Sequence, residues 1–392
     1  MRCTVMPEIL RQELGRSAKV STKDGSVYSY VELSAIEGQL HIRAQDEHVG
    51  FVSRVGVAVE EVGAVLVDCA RLVSVLGARP DGTPISLRSD GAFLQFRQGE
   101  FKAKLPVMRH GSLPELDFSV PFDIDVTFTP DMLHGLLRCR YSMDTDEQSM
   151  FAGMLLDFAQ AGVLRVAAFT RALLQVAHFD FQGVSPCRFV LSPRCLPILE
   201  ALPKEPFRFA FSATRSKVYI FAKTFAAIIA CAQDRYPVNY EQVLGLYRWR
   251  EGVYPVPLLS SSGDIASELQ RTPLVFDKAE VANALASVVV VLDREDQIVG
   301  MHIRERLADG RTVVEFTANN TMNKAQASEK VLASGAVESA ISLGLNHAGV
   351  RGALRHLDGE SFTLHIGRKE DAIVFTEKDH PNIVALSTLM RL

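Results

Sequence analysis

A strand-then-helix phrase recurs three times along this chain at matching offsets: CTVMPEILRQEL (Cys3 to Leu14), VTFTPDMLHGLL (Val126 to Leu137) and LVFDKAEVANAL (Leu274 to Leu285). Half a unit later a second phrase recurs: AVLVDCARLVSVLGA from Ala64, RFVLSPRCLPILEAL from Arg188 and ISLGLNHAGVRGALRHL from Ile341. A third phrase, strand then polar turn then strand, reads TPISLRSDGAFLQFRQG from Thr83, PFRFAFSATRSKVYIFAK from Pro206 and SFTLHIGRKEDAIVFTEK from Ser361. In each set the first two copies lie about 123 residues apart, and the third follows after about 150. Solenoid and propeller units repeat every ~20–50 residues. A step this long makes each copy a domain in its own right.

Three copies fill the 392 residues, and with 47% hydrophobic residues each copy can bury a core. A net charge of -4 argues against a surface that grips nucleic acid all over, while leaving room for a locally basic face. The six cysteines (Cys3, Cys69, Cys139, Cys187, Cys195, Cys231) form no CxxC pair. Four of them fall in apolar strand or helix patterns, which predicts reduced, buried thiols and a cytoplasmic protein. Arg2 and Glu8 interrupt any apolar leader, and no run approaches the ~20 apolar residues of a membrane span, so no membrane association is expected.

Within each repeat the order is strand, helix, strands, then strand, helix, strands. Pro130 opens a helix whose apolar stripe is Met132, Leu133, Leu136 and Leu137, with Thr129 as N-cap. Leu72, Val73 and Leu76 form the stripe of a later helix, with Arg71 off it. Phe207, Phe209 and Phe211 alternate with Arg208, Ala210 and Ser212 as a strand should. Ser89-Asp90-Gly91 and Asp358-Gly359 supply turns. Helices on one face of mainly antiparallel sheet make the fold class α+β. Junctions are expected near Phe122 and near Gly245 to Arg250, with extra length in the third copy at about 247–274.

No chemistry-bearing constellation accompanies this frame. There is no HExxH, no GxGxxG, no GxxxxGK[ST] and no GxSxG. His347 and His356 share a predicted helix, but their spacing puts them on nearly opposite sides. Asp123 and Asp125 resemble a DxD metal pair, yet at a sheet end they read better as a solvated edge. Asp144, Asp146 and Glu147 read as an acidic turn, lacking the glycine and terminal glutamate of an EF-hand loop. No catalytic residue, metal site or cofactor is expected. The predicted helices carry Arg11, Arg16, Arg71, Arg138, Arg140, Arg194, Arg351 and Arg355. These are either ordinary solvated faces or a repeated positive surface for a phosphate backbone.

Several segments are collinear with one family. PNIVALSTLMRL ends the chain with Met390, Arg391 and Leu392, as in that family's Met-(Pro)-Met-Arg-Leu terminus. RYPVNYEQVLG (Arg235 to Gly245) is similar to its Arg-Phe-Pro-Asp-Tyr segment. FTANN (Phe316 to Asn320) followed by SGAVE, FVLSPRCLPIL, and GAVLVDCARLVSVLG match further segments in order. The sequence thus resembles the bacterial DNA polymerase III β subunit, the sliding clamp, along nearly its whole length and as a diverged member.

The resemblance implies three clamp domains, at 1–124, 125–246 and 247–392, in a homodimer closing head to tail around duplex DNA. It implies a non-enzymatic tether for a DNA polymerase, opened by a clamp loader, with Arg11, Arg71, Arg138, Arg140, Arg194, Arg351 and Arg355 facing the DNA. It implies a cleft for short linear peptides walled by Phe151, Phe169, Leu174, Pro237, Val243, Leu386 and Met390. The dimer edge would fall on Phe101, Val289 and Val290. Here Phe169-Thr170-Arg171-Ala172-Leu173-Leu174 replaces the family's Thr-Asp-Gly-His-Arg-Leu run, which implies a reshaped, more apolar cleft floor. Asp24 stands where the family has an arginine, and the loop before Phe151 is acidic. The alternative is a clamp-fold interaction protein that binds replication partners without encircling DNA.

Overall fold

A computed structural model of the chain describes residues 1–78, 82–109, 111–146, 148–149, 151–159, 162–181, 186–202, 204–232, 240, 272–293, 297–320, 322–335, 337, 340–366, 372–380 and 382–391. The expected junction at Gly245 to Arg250, and the extra length up to residue 271, lie outside the described residues. These residues gather into two compact units: Met1–Leu133 with Arg194–Cys231, and His134–Pro193 with Ala232–Leu392.

Each copy of the first phrase forms a strand and a helix: α1 is Pro7–Val20, α3 is Pro130–Arg138 and α5 is Lys278–Val289. The second phrase forms α2 (Cys69–Gly77), α4 (Leu196–Glu200) and α6 (His347–His356). Helix starts follow local chemistry. The side chains of Asp68, Thr129, Asp277 and Asn346 accept from backbone N–H groups of Arg71, Met132, Glu280 and Gly349 at 2.8, 3.2, 2.8 and 3.0 Å. Each such cap contributes about 1 kcal/mol by satisfying a donor the helix cannot. Thr129 is therefore the cap that the sequence predicts.

The first unit holds two antiparallel sheets. In one, the order is Ala58–Glu61, Arg2–Val5, Ile85–Ser89, Phe93–Gln98, Phe101–Pro106. The other runs Ile124–Phe128, Phe207–Ser212, Lys217–Phe221, Phe225–Ala230, Val49–Gly56, Gln39–Gln45, Tyr30–Ile36, Gly63–Asp68. Its central joint pairs Phe225 with Ser53 through Ile229 with Val49, so strands of the second repeat continue the sheet of the first.

The second unit repeats the device. Arg188–Leu191, Met154–Asp157, Val163–Phe169 and Leu173–Asp180 lead into third-repeat strands, with Leu173 opposite Ser387 through Ala177 opposite Ile383. Each repeat alone would end in an unpaired edge, and joining edges satisfies those backbone groups.

Phe128 stacks on Phe209 at 4.4 Å and meets Phe207 at 5.7 Å, as the alternation predicts. The opposite face is covered too: Ala210 and Tyr219 are fully buried, packed by Leu116, Phe118 and Phe122 of the connecting segment. In the second unit Leu285 and Val288 of α5 and Val350 and Leu354 of α6 share one core with Phe276, Phe316, Phe362 and Phe375. Cys3, Cys69, Cys139 and Cys195 are buried, as the apolar patterns predict. Burial pushes the Cys3 and Cys139 thiols up to about 11 and about 12, so they are packing groups rather than nucleophiles.

Candidate partner-peptide groove and nucleic-acid interface

The hairpin Val163–Phe169 to Leu173–Asp180 closes on a turn held by Thr170, whose Oγ1 accepts from the Leu173 amide at 3.1 Å. That register sets Phe169 opposite Leu174, and Leu174 opposite Leu386 on the next strand. Leu174 and Leu386 are 1% and 2% exposed, in a cluster with Leu155, Val176, Val190 and Val374. Phe151 meets the half-buried Phe169 edge-on, with ring centroids 5.2 Å apart. Tyr240 joins the same cluster and donates its hydroxyl to Asp157 at 2.6 Å. Pro237 and Val243, the other expected groove residues near it in sequence, lie outside the described residues.

At the hairpin's turn opens a cavity of about 1030 Å³, with Phe151, Thr170, Arg171, Ala172 and Met390 among its lining residues. Met390 sits on a two-residue strand paired with Ile341–Asn346. The approach is close: a Cβ on Gly344 would lie 2.4 Å from the Met390 carbonyl oxygen, so glycine is what lets that strand dock. Asn346 does double duty. Its Oδ1 caps α6, while its Nδ2 donates to Gln297 Oε1 at 3.1 Å and approaches Met390 Sδ at 3.7 Å.

Of the resemblance set, Phe151 and Met390 line this cavity, Phe169 packs against Phe151, and Leu174 and Leu386 are buried in the core cluster. The leucines expected to make the cleft more apolar, Leu173 and Leu174, are buried and are not among the residues lining the cavity. Thr170 and Arg171 line the cavity beside Asp144, Asp146 and Gln148, because the turn projects its polar residues upward while Leu173 and Leu174 go into the core. Gln297 and Asn346 also line it. Neither is visible in the sequence as a groove residue, since each reads as a turn or cap polar group.

No protein-family model matches the sequence, and no curated protein matches it. Solved structures do. The DNA polymerase III subunit beta from Pseudomonas aeruginosa superposes with a TM-score of 0.81 at 18% identity, with 100% of both chains covered. The Thermotoga maritima DNA polymerase III beta subunit gives 0.81 at 15% identity, covering 100% of this chain and 99% of that one. The Helicobacter pylori beta clamp, solved bound to a DNA ligase peptide, gives 0.80 at 16% with both chains fully covered. The chain has the sliding-clamp fold. At these identities the likeness is carried by backbone and hydrophobic pattern, and side chains must be read from this chain alone.

The helix arginines do not behave alike. Arg71 on α2 and Arg351 and Arg355 on α6 are exposed, and Arg11 on α1 is half-buried. Arg194, exposed at the start of the α4 region, reaches to 3.8 Å from Asp46. Arg140 lays its guanidinium on the Tyr141 ring and donates to its hydroxyl at 2.6 Å. Arg138 corrects the expectation of a DNA-facing group. It is 4% exposed, ion-paired with buried Glu377, and donates to the His356 carbonyl at 2.6 Å. Arg16 is likewise buried, between Glu13 at 2.7 Å and the Ala201 carbonyl at 3.1 Å.

Phe101 begins the outermost strand of the five-stranded sheet, edge-on to Phe96. Val289 is half-buried at the end of α5, and Val290 is 80% exposed. The acidic pairs resolve as turns and ion pairs. Asp125 takes Arg208 in a two-pronged bond at 2.6 and 2.5 Å, and Asp123 accepts from the Ala213 amide. Asp144 accepts from the Asp146 amide at 3.1 Å, and Asp146 from that of Gln148 at 3.0 Å; Glu147 lies outside the described residues. The Ser149 hydroxyl, the Asp146 amide and the charge of Arg171 hold the Asp144 carboxyl below its usual range. It stays ionised at the groove mouth. Sequence spacing gave no sign of one further grouping: His134, Asp358 and His380 converge from three distant segments.

Proposed function

We propose that the chain is a non-enzymatic DNA sliding clamp. Two copies close head to tail around duplex DNA, and a peptide groove on each tethers a polymerase and other replication partners. The groove carries this reading: Phe151 and Met390 line a large cavity at the end of a hairpin whose leucines are buried, on a chain whose fold matches beta clamps over its full length. Such a site suits a short peptide with leucine and phenylalanine anchors. Three domains, 1–124, 125–246 and 247–392, are the division that the threefold phrase supports.

DNA contact in this reading comes from Arg11, Arg71, Arg140, Arg194, Arg351 and Arg355, without base readout, because strong sequence contacts would arrest sliding. Arg138 is left out because its charge is already spent. The dimer edge is assigned to Phe101, Val289 and Val290. The 80% exposed Val290, which caps the C-terminus of α5, supports this. Loading onto nicked circular DNA followed by linearisation tests encirclement. Retention on circles and loss after cutting is expected, with a dimer in sedimentation. A monomer lost equally from both forms refutes it.

A second reading, an interaction protein that keeps the fold without encircling DNA, is favoured by Asp144 and Asp146 at the groove mouth. Replacing both by asparagine restores DNA retention only if that reading holds.

A further inference from the structure

We propose that the second unit carries a divalent-metal site made by His134, Asp358 and His380, with the donor chemistry of zinc. His134 stands on α3, Asp358 in the turn after α6, and His380 in the turn before Ile383–Ser387. One ligand atom from each lies within 4.8 Å of the other two. Tetrahedral bonds of about 2.0–2.1 Å would set such atoms about 3.3 Å apart, so modest side-chain rotation closes the set. The two imidazole rings face each other with centroids 5.7 Å apart and planes 31° from parallel. His134 Nε2 and Asp358 Oδ2 are 2.5 Å apart. A metal ion would take the place of the shared proton.

Two nitrogens and one carboxylate oxygen select a borderline cation such as Zn²⁺ or Co²⁺ over Mg²⁺ or Ca²⁺, which prefer all-oxygen cages. The surrounding charge tolerates a dication. Arg138 approaches Asp358 at 3.7 Å, but its positive charge is balanced by Glu377, leaving the Asp358 carboxylate as the local excess. His134 and Asp358 are each about half exposed at their side chains, so an ion can enter from solvent and water can fill the fourth position. Bound metal would tie α3 to the two turns it faces. It would stabilise the unit by binding only the folded form.

The test uses the full-length chain, stripped with chelator and titrated with Co²⁺, then with Zn²⁺ in competition. One equivalent of Co²⁺ should produce visible ligand-field bands that Zn²⁺ abolishes, and Zn²⁺ should raise the melting temperature. Loss of an outer-shell partner typically weakens metal sites ~10–100-fold, so His134→Gln, His380→Gln and Asp358→Asn should each weaken binding by at least about 100-fold. Circular dichroism and metal-free melting of the exposed-site variant His134→Gln should match the parent. His41→Gln serves as a control with binding intact. Absence of ligand-field bands, or Zn²⁺ affinity unchanged in His134→Gln/His380→Gln, overturns the proposal and leaves only a histidine–aspartate ion pair.

Discussion

Two joints between successive repeats can be compared residue by residue. In the first unit, α1 meets the end of α4, and Arg16 donates to the Ala201 carbonyl there. In the second, Arg138 at the end of α3 donates to the carbonyl of His356, the last residue of α6. Both place a buried guanidinium at a helix C-terminus, where orphan carbonyls and the macrodipole favour a cation. The two arginines do not align. One repeat step onward, Arg16 matches Cys139, and one step back Arg138 matches Gly15. The same physical need is met from neighbouring positions, so it is the need rather than the residue that repeats.

What differs is where the compensating charge comes from. Arg16 is neutralised by Glu13 on its own helix and lies over the Phe225 ring at 5.1 Å. Arg138 is neutralised by Glu377 from the third repeat, whose other oxygen accepts from the Gly359 amide at 2.5 Å. His356 answers by donating from Nδ1 to the Arg138 carbonyl at 2.9 Å. The first joint is electrostatically self-contained, while the second is a cross-repeat network.

The largest expected effect is therefore Arg138→Ala. It strands a buried carboxylate, and breaking such a pair costs about 3–5 kcal/mol. Urea unfolding of the parent, Arg138→Ala, Glu377→Gln and the double variant measures it. The double variant should recover much of the loss. If Arg138→Ala and the double are equally unstable, pairing is not what holds this joint.

Arg16→Ala should cost less, about 2–3 kcal/mol, because it breaks a pair within one helix, whereas Arg138→Ala also unties a strand end of the third repeat. A cost equal to that of Arg138→Ala would erase the distinction between the joints.

Acid should separate them next. Burial, with the Arg138 charge beside it, pushes His356 down to about 3, so the folded imidazole stays neutral where a free one protonates near 6.5. Below ~6.5 the unfolded chain binds a proton that the folded chain refuses. The stability contributed by neutral His356 is thus present above ~6.5 and lost as pH falls toward about 3. Read with chelator present between pH ~6.5 and ~5, before most carboxylates titrate, the second unit should weaken and His356→Gln should flatten the slope. Arg16, by contrast, is held by Glu13, the Ala201 carbonyl and Phe225, a set that contains no imidazole.

These contrasts also mark what the sequence could show. Strand and helix phrases, the Thr129 cap and the apolar stripes are local patterns, and each forms as read. Burial of Leu174 and Leu386 was legible for the same reason, since they lie on strands whose period is plain. Burial of Arg138 was not, because an arginine beside an apolar stripe usually extends its head to water. Its partner Glu377 is 239 residues away, and nothing in the local pattern of α3 indicates a carboxylate waiting there. The convergence of His134, Asp358 and His380 is hidden by the same long separations. Long-range charge partners are the part of this fold that spacing cannot encode.

The smallest expected effect tests whether the division between buried and exposed arginines is functional. Each phosphate neutralised releases a counterion, so removing one DNA contact should lower the slope of log K against log salt by about one or less. Arg71→Ala and Arg351→Ala, both exposed and on helices α2 and α6, should each do this with little change in unfolding. Arg138→Met in a Glu377→Gln background should leave the slope unchanged, since that guanidinium faces a carboxylate and a helix end rather than solvent. Fluorescence anisotropy on duplex DNA across a salt series reads all three. An unchanged slope in Arg71→Ala and Arg351→Ala would mean that exposure alone does not make these arginines DNA contacts, and that the positive helix face serves solubility instead.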